Sequence, residues 1–214
     1  MDNVELINSL SGLLIITSVL VIEAKTLRRS AIMYSIQSCV LVLIFLALAV
    51  TMDADQLFLW AASAFITKAL LVPYILIRAD KSMEGQPPTR GNPWPSIGLA
   101  GVSLVVSFIV IDQLDLSVAS AFKPALAVSI AHFFFGQLCI LTQKNMLKQV
   151  LGFCLMENGS HLTLALMAYS APELVEIGIA TDAVFGVIVM VILLVQINRS
   201  LHTLDVTELK SLKG

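Results

Sequence analysis

The sequence predicts an all-α, polytopic membrane protein of about seven transmembrane helices, with its N-terminus outside (periplasmic) and its C-terminus cytoplasmic. Three observations carry that prediction. Hydrophobic residues make up 57% of the chain and charged residues only 13%, and the mean hydropathy is +0.90. Soluble domains average roughly half apolar and a quarter charged, so a soluble single domain is excluded. Apolar runs of about 20 residues, the length that crosses a hydrocarbon core about 30 Å thick, recur along almost the whole chain. Lys and Arg gather in alternate loops, as expected when short basic loops stay cytoplasmic.

The runs fall near Val4 to Ile22, Ala31 to Thr51, Leu57 to Ile77, Ile97 to Ile111, Ala121 to Leu141, Leu147 to Tyr169 and Leu174 to Ile197. Backbone in hydrocarbon must satisfy its own hydrogen bonds, so these read as helices and not barrel strands. The first run is expected to stay as a helix. Asp2 and Glu5 stand where a signal peptide carries basic residues, and no small-residue cleavage site follows cleanly. Lys25, Arg28 and Arg29 follow the first run, Arg78, Lys81 and Arg90 the third, Lys144 and Lys148 lead into the sixth, and Arg199, Lys210 and Lys213 follow the seventh. The opposite loops are acidic, with Asp53, Asp55, Asp112, Asp115, Glu173 and Glu176. The fourth run is the shortest, and the alternation supports it independently of hydropathy, because six or eight spans would break the pattern.

Four segments follow. Residues 1–78 form a three-helix membrane segment and 79–95 a cytoplasmic Pro/Gly linker, with Gly85, Pro87, Pro88, Gly91, Pro93 and Pro95 and an interfacial Trp94. Residues 96–120 hold an additional helix and outer loop, and 121–214 a second three-helix segment with a cytoplasmic tail. Asp205 followed by Glu208 makes a capping pattern, so the tail reads as a short helix lying on a partner or on the bilayer. The other loops are short, leaving no extramembrane domain large enough for a catalytic core. Cys39, Cys139 and Cys154 fall inside helices without metal-site spacing, and Cys39 and Cys139 read as small buried hydrophobes.

Two cations stand apart from the loop charges: Lys123 at the outer start of the fifth helix, and Lys68 at mid-depth in the third. His132, Glu157, His161 and Asp182 join Lys68 inside the spans. A charged Asp or Lys near a helix centre costs roughly 2.5–3.5 kcal/mol by insertion scales, so these groups must face one another, water or a partner. Cys154, Glu157 and His161 are spaced i, i+3, i+7 and share one face of the sixth helix, with Asn158 at its edge and Leu155, Leu162 and Leu166 opposite. A Glu one turn before a His can exchange a proton through a water, and such a pair reads either as a proton relay or as a polar clasp between helices. The seventh helix carries Gly178, Asp182 and Gly186 at i, i+4, i+8, and the fifth carries Ser129, His132 and Gly136 at i, i+3, i+7. Small residues there let another helix approach. Lys68 reads as a relay base or as the ion-pair partner of a carboxylate, and Lys123, before Pro124, equally as a snorkelling interfacial lysine.

The stretch Gln143-Lys-Asn-Met-Leu-Lys-Gln-Val-Leu-Gly-Phe-Cys-Leu-Met-Glu-Asn-Gly-Ser-His-Leu resembles the hydrogenase-4 component E family. So do Pro172-Glu-Leu-Val-Glu-Ile-Gly-Ile-Ala-Thr-Asp-Ala-Val-Phe, Thr203-Leu-Asp-Val, Ser63-Ala-Phe-Ile-Thr-Lys and Lys123-Pro-Ala-Leu-Ala. The resemblance implies an inner-membrane subunit of a membrane-bound nickel–iron hydrogenase of the formate hydrogenlyase type. It implies antiporter-like membrane subunits, a membrane anchor subunit and a cytoplasmic hydrogenase arm as partners. Nickel–iron and iron–sulfur centres are expected in those partners, and no cofactor in this chain. The last three helices more distantly resemble the K-type subunit of respiratory complex I, which carries a buried glutamate on each of two helices. Those positions fall on Cys154 and Gly186 here, one turn, or about 5 Å, from Glu157 and Asp182. The expected role is proton translocation through Glu157, His161, Asp182, Lys68 and His132, with Lys123 and Cys154 as lesser candidates. Rival readings are a cation/proton antiporter subunit, which would exchange sodium, and a purely structural subunit.

Overall fold

The computed structural model describes residues 3–83, 93–114, 120–169 and 173–209. Within them are seven helices long and apolar enough to cross a membrane. These are α1 (Asn3–Glu23), α2 (Leu27–Met52), α3 (Gln56–Ser82), α4 (Pro93–Gln113), α5 (Lys123–Thr142), α6 (Met146–Met167) and α7 (Glu173–Leu201), followed by the single-turn α8 (Val206–Leu209). Each expected span is present. Arg90, Asp115, Lys210 and Lys213, the linker residues Gly85, Pro87, Pro88 and Gly91, and Asp2 lie outside the described residues.

Local chemistry sets the helix ends. Thr26 opens α2, its hydroxyl accepting from the Arg29 N–H at 3.3 Å, and Asp53 closes it in the left-handed region at φ 50°. Asn145 caps α6 by accepting from the Lys148 N–H at 3.3 Å. Prolines 93 and 95 occupy the first turn of α4, where a missing N–H leaves no helical bond unmade. That lets the fourth helix begin before the Ile97 the hydropathy marks.

Inside α3 the residues Phe65–Leu71 are wound as a π-helix, in which the Val72 N–H reaches back to the Thr67 carbonyl. Pro73 explains the disturbance. It has no N–H to give the Ala69 carbonyl four residues back, and Ser35 of α2 donates its hydroxyl there instead, at 2.6 Å. Such single-turn π segments are frequent at functional sites. This one carries Lys68.

The α5–α6 hairpin is the centre of the bundle, each helix having 61% of its span buried, against 22% for α4 and 17% for α7. α1 packs on α2 and α5, α2 on α3 and α6, α4 on α5, and α7 on α6 and α3. The hairpin closes backbone to backbone through glycine. A Cβ at Gly159 would lie 2.5 Å from the Phe133 nitrogen, and one at Gly136 would lie 2.6 Å from the Gly152 carbonyl oxygen.

At one end of the bundle the short loops interlock. Lys148 is buried and donates its ammonium to the Ile22 and Ala24 carbonyls that end α1. Gln143 donates to Ile22 at 3.3 Å. The tail folds back onto the same loop: the Met146 N–H donates to Leu204 at 3.2 Å and the Val206 N–H to Lys144 at 3.0 Å. The described tail therefore docks on its own chain, with Leu204 buried as its plug. This end carries Lys25, Arg28, Arg29, Lys144, Lys148 and Arg199.

Buried apolar side chains divide into two cores. One holds Val21, Tyr34, Val72, Leu76, Phe135 and Leu151, and the other Leu14, Leu41, Phe45, Trp60, Leu126 and Leu162. Six helices contribute to both, and in each the change from one core to the other falls beside a buried polar residue: Ser18, Gln37, Lys68, Ser107, His132 and Asn158. A polar layer thus crosses the middle of an otherwise apolar bundle.

Candidate functional site

The layer is built around an ion pair. Lys68, on the π turn of α3, is 1% exposed, and its Nζ lies 2.7 Å from Oε1 of Glu157 on α6, whose side chain is 17% exposed. The aliphatic stem of Lys68 and the two opposite charges together make burial tolerable, because each charge is the other's solvation. The carboxyl is the end of the pair that remains partly accessible.

Next to Glu157, Asn158 begins a chain of side-chain hydrogen bonds across four helices. Asn158 Nδ2 donates to Gln37 Oε1 at 2.9 Å, and to Ser38 Oγ at 3.4 Å. Gln37 Nε2 then donates to His132 Nε2 at 2.9 Å. An amide nitrogen cannot accept, so His132 Nε2 is the bare nitrogen and Nδ1 carries the hydrogen, which goes to Ser18 Oγ at 2.7 Å. Ser18 in turn donates to the Leu14 carbonyl. Every donor in the chain points the same way. His132 is held as a neutral imidazole, and charging it would set an N–H against the Gln37 NH₂ unless the amides reversed.

His161 sits elsewhere in the layer. Its ring is 1% exposed, 4.8 Å from the Phe45 ring and 5.2 Å from the Trp60 ring. Cys154 is buried one turn from Glu157 and within electrostatic range of it. Asp182 is exposed on α7 beside Thr181 and Phe185, without an ion pair or hydrogen bond among the described residues. Lys123 is half-buried at the first residue of α5, beside Pro124. Lys68 and Glu157 are therefore brought together, His132 belongs to an amide chain that ends at Asn158, the residue after Glu157, and Asp182 and Lys123 stand apart. Among the described residues no three of His, Cys, Asp and Glu gather as a metal-holding group.

Sequence reasoning missed Tyr34, Gln37, Ser38 and Ser18, all buried in the layer. A signal was present: Tyr34, Gln37 and Ser38 at i, i+3, i+4 put polar groups on one face of a very apolar helix.

The geometry permits one elementary reaction without any net charge in hydrocarbon. The ammonium and carboxylate can become amine and carboxylic acid by moving one proton about 1 Å along the hydrogen bond. Either form of the pair is neutral overall.

Comparison with known proteins gives three results. The family model for NADH-ubiquinone/plastoquinone oxidoreductase chain 4L matches residues 124–214. Hydrogenase-4 component E of Escherichia coli (strain K12) is 49% identical over 211 residues, 98% of each chain, and that of Shigella flexneri matches to the same extent. An uncharacterized protein of Mycobacterium tuberculosis is 25% identical over 97% of this chain and 96% of its own. No solved structure matches.

Proposed function

This chain belongs to the hydrogenase-4 component E family, and from that premise we propose that it conducts protons within a membrane-bound nickel–iron hydrogenase of the formate hydrogenlyase type. It is a multi-pass membrane subunit of a multisubunit complex. The redox centres, nickel–iron and iron–sulfur, belong to partner subunits: a cytoplasmic hydrogenase arm, a membrane anchor subunit and antiporter-like membrane subunits. The observation that carries the reading is the Lys68–Glu157 pair, 2.7 Å apart and set between two apolar cores, with only the carboxyl partly accessible. Glu157 lies within the chain 4L-like region and Lys68 outside it, so the first three helices complete a site that the last three alone would leave with an unpaired acid.

In this reading Glu157 is the carrier and Lys68 the base that keeps its negative charge affordable. His161 serves the same layer from its aromatic seat, and His132 holds the amide chain in one polarity. The interlocked basic end faces the cytoplasm, which leaves the N-terminus periplasmic in the bacterial inner membrane. Asp182 faces a neighbour. A carboxylate among Phe185, Ile188 and Val189 on a bare face costs roughly 2.5–3.5 kcal/mol in lipid. A partner helix with a cationic or donor side chain at that depth removes the penalty.

The test uses the assembled complex in inverted membrane vesicles. Glu157→Gln keeps the shape and still accepts from Lys68, so assembly and nickel and iron content are expected to persist while proton movement coupled to hydrogen chemistry is lost. Proton movement at the unmodified rate in that variant would remove Glu157 as carrier. Absence of nickel and iron from the purified complex, with sodium-dependent transport, would replace the hydrogenase reading with the antiporter one.

A further inference from the structure

One turn of α2 places a tyrosine beside Asn158, the residue that follows Glu157. Tyr34 is fully buried, and among the described residues its hydroxyl has no hydrogen-bond partner. Its position is fixed from both sides. The next residue, Ser35, holds the Ala69 carbonyl beside Lys68. One turn on, Gln37 and Ser38 hold Asn158 beside Glu157. The phenol accordingly lies within electrostatic range of Glu157 and next to Asn158 and Ser38. A second buried atom there is also without a partner, the Oδ1 of Asn158.

The two orphans are complementary. One is an O–H donor and the other a bare carbonyl acceptor, and each unmet group costs roughly 1–3 kcal/mol when buried. A carboxylate, which only accepts, can satisfy Tyr34 but not Asn158. A neutral carboxylic acid satisfies both at once, its C=O accepting from Tyr34 and its O–H donating to Asn158 Oδ1.

We propose that Tyr34 Oη and Asn158 Oδ1 form a second seat for the Glu157 carboxyl, occupied when it is protonated. This rests on Glu157 being the proton carrier. In the charged seat Glu157 Oε1 accepts from Lys68. A proton passes from Lys68 Nζ to Oε1, the N–H bond breaking with its electron pair left on nitrogen and an O–H bond forming on the carboxylate. The neutral acid then turns to Tyr34 and Asn158, separated from the amine, and gives up its proton only when it leaves that buried seat for the partly exposed side of α6. Lys68, left as the neutral amine, is recharged by a proton delivered through water, which closes the cycle. Tyr34 thereby sets how long the acid stays protonated.

Infrared difference spectra of the membrane-embedded complex across a pH titration test the seat. The C=O stretch of the protonated acid is assigned as the band that disappears in Glu157→Gln. With Tyr34→Phe that band is expected to move to higher frequency, because its C=O has lost a donor, and proton movement to fall about tenfold, the effect of one net hydrogen bond. Should Tyr34→Phe fail to assemble, fluorotyrosine at position 34, a stronger donor of nearly equal volume, is expected to move the band to lower frequency. A band unmoved by both replacements would overturn the second seat while leaving Glu157 as carrier. A spectrum with no Glu157 band, together with normal proton movement in Glu157→Gln, would instead overturn the carrier.

Discussion

Lys68 and Glu157 each make the other's burial possible, and that mutual dependence has a measurable consequence. Glu157→Leu leaves a buried ammonium without its counter-charge, for which a loss of about 3–5 kcal/mol is expected. Lys68→Met in the same chain removes the orphan and is expected to recover most of the stability without recovering proton movement. Thermal inactivation of the solubilised complex reads the first effect, and vesicle acidification the second. His132 behaves differently. His132→Leu strands the Gln37 NH₂ and is expected to cost roughly 1–3 kcal/mol, with Gln37→Leu added on top costing less than its separate value because the two share one bond. The charged members of this layer are conspicuous in the sequence, since Lys, Glu and Asp inside apolar runs break the pattern. Their connections are not. Tyr34, Gln37, Ser38 and Ser18 are uncharged, individually inexpensive in a helix, and spread over two spans. Only the fold shows that they converge.

At the scale of elements, two stripes of small residues that look alike in sequence have different fates. Ser129 and Gly136 on α5 meet the backbone of α6, where Gly159 and Gly152 answer them, while His132 of the same stripe turns to α1 and α2. Among the described residues, Gly178 on α7 has open space beyond it, and Gly186 meets only the Phe153 ring at 3.4 Å. Spacing tells that a helix can approach, not which helix does. Gly159→Val is expected to force α5 and α6 apart, costing about 1–3 kcal/mol or more, whereas Gly178→Val should leave the isolated subunit as stable as before; subunit abundance in membranes distinguishes them. The π turn of α3 was also hidden, because Pro73 announces a disturbed helix without saying whether it kinks or bulges. The tail adds a pH-sensitive contact outside the membrane. Bonds from the Thr207 hydroxyl and N–H hold the Asp205 carboxyl below its ordinary range. A lowered value in the folded form means that the contribution is present at neutral pH and fades as pH falls through that lowered value. Hydrogen exchange at the Val206 amide, bonded to Lys144, is expected to quicken on acidification, after correction for the intrinsic rate.

For the whole molecule, hydropathy and charge alternation were enough to give seven spans, because a bilayer imposes length and sidedness directly on the sequence. The division of the interior into two cores was not legible, since it depends on which residues of six helices stand at one depth. That depth, shared by six helices, also decides what the exposed α7 face is for. α7 and α4 cover little of the bundle, yet of the two only α7 carries an acid away from its ends, Asp182, since Asp112 stands in the last turn of α4. If a partner helix supplies a cation or donor there, a cation placed on this side must repel it. Asp182→Lys is expected to leave the chain inserted in the membrane and to abolish recovery of the neighbouring membrane subunits with it. Asp182→Asn, which keeps the hydrogen bond and drops the charge, should retain them at reduced yield. Cysteine at Gly178, four residues away on the same face, should form a disulfide with a cysteine on the neighbouring helix. Recovery of the complex at full yield from Asp182→Lys would mean that this face meets lipid, with Asp182 satisfied by water at the membrane surface.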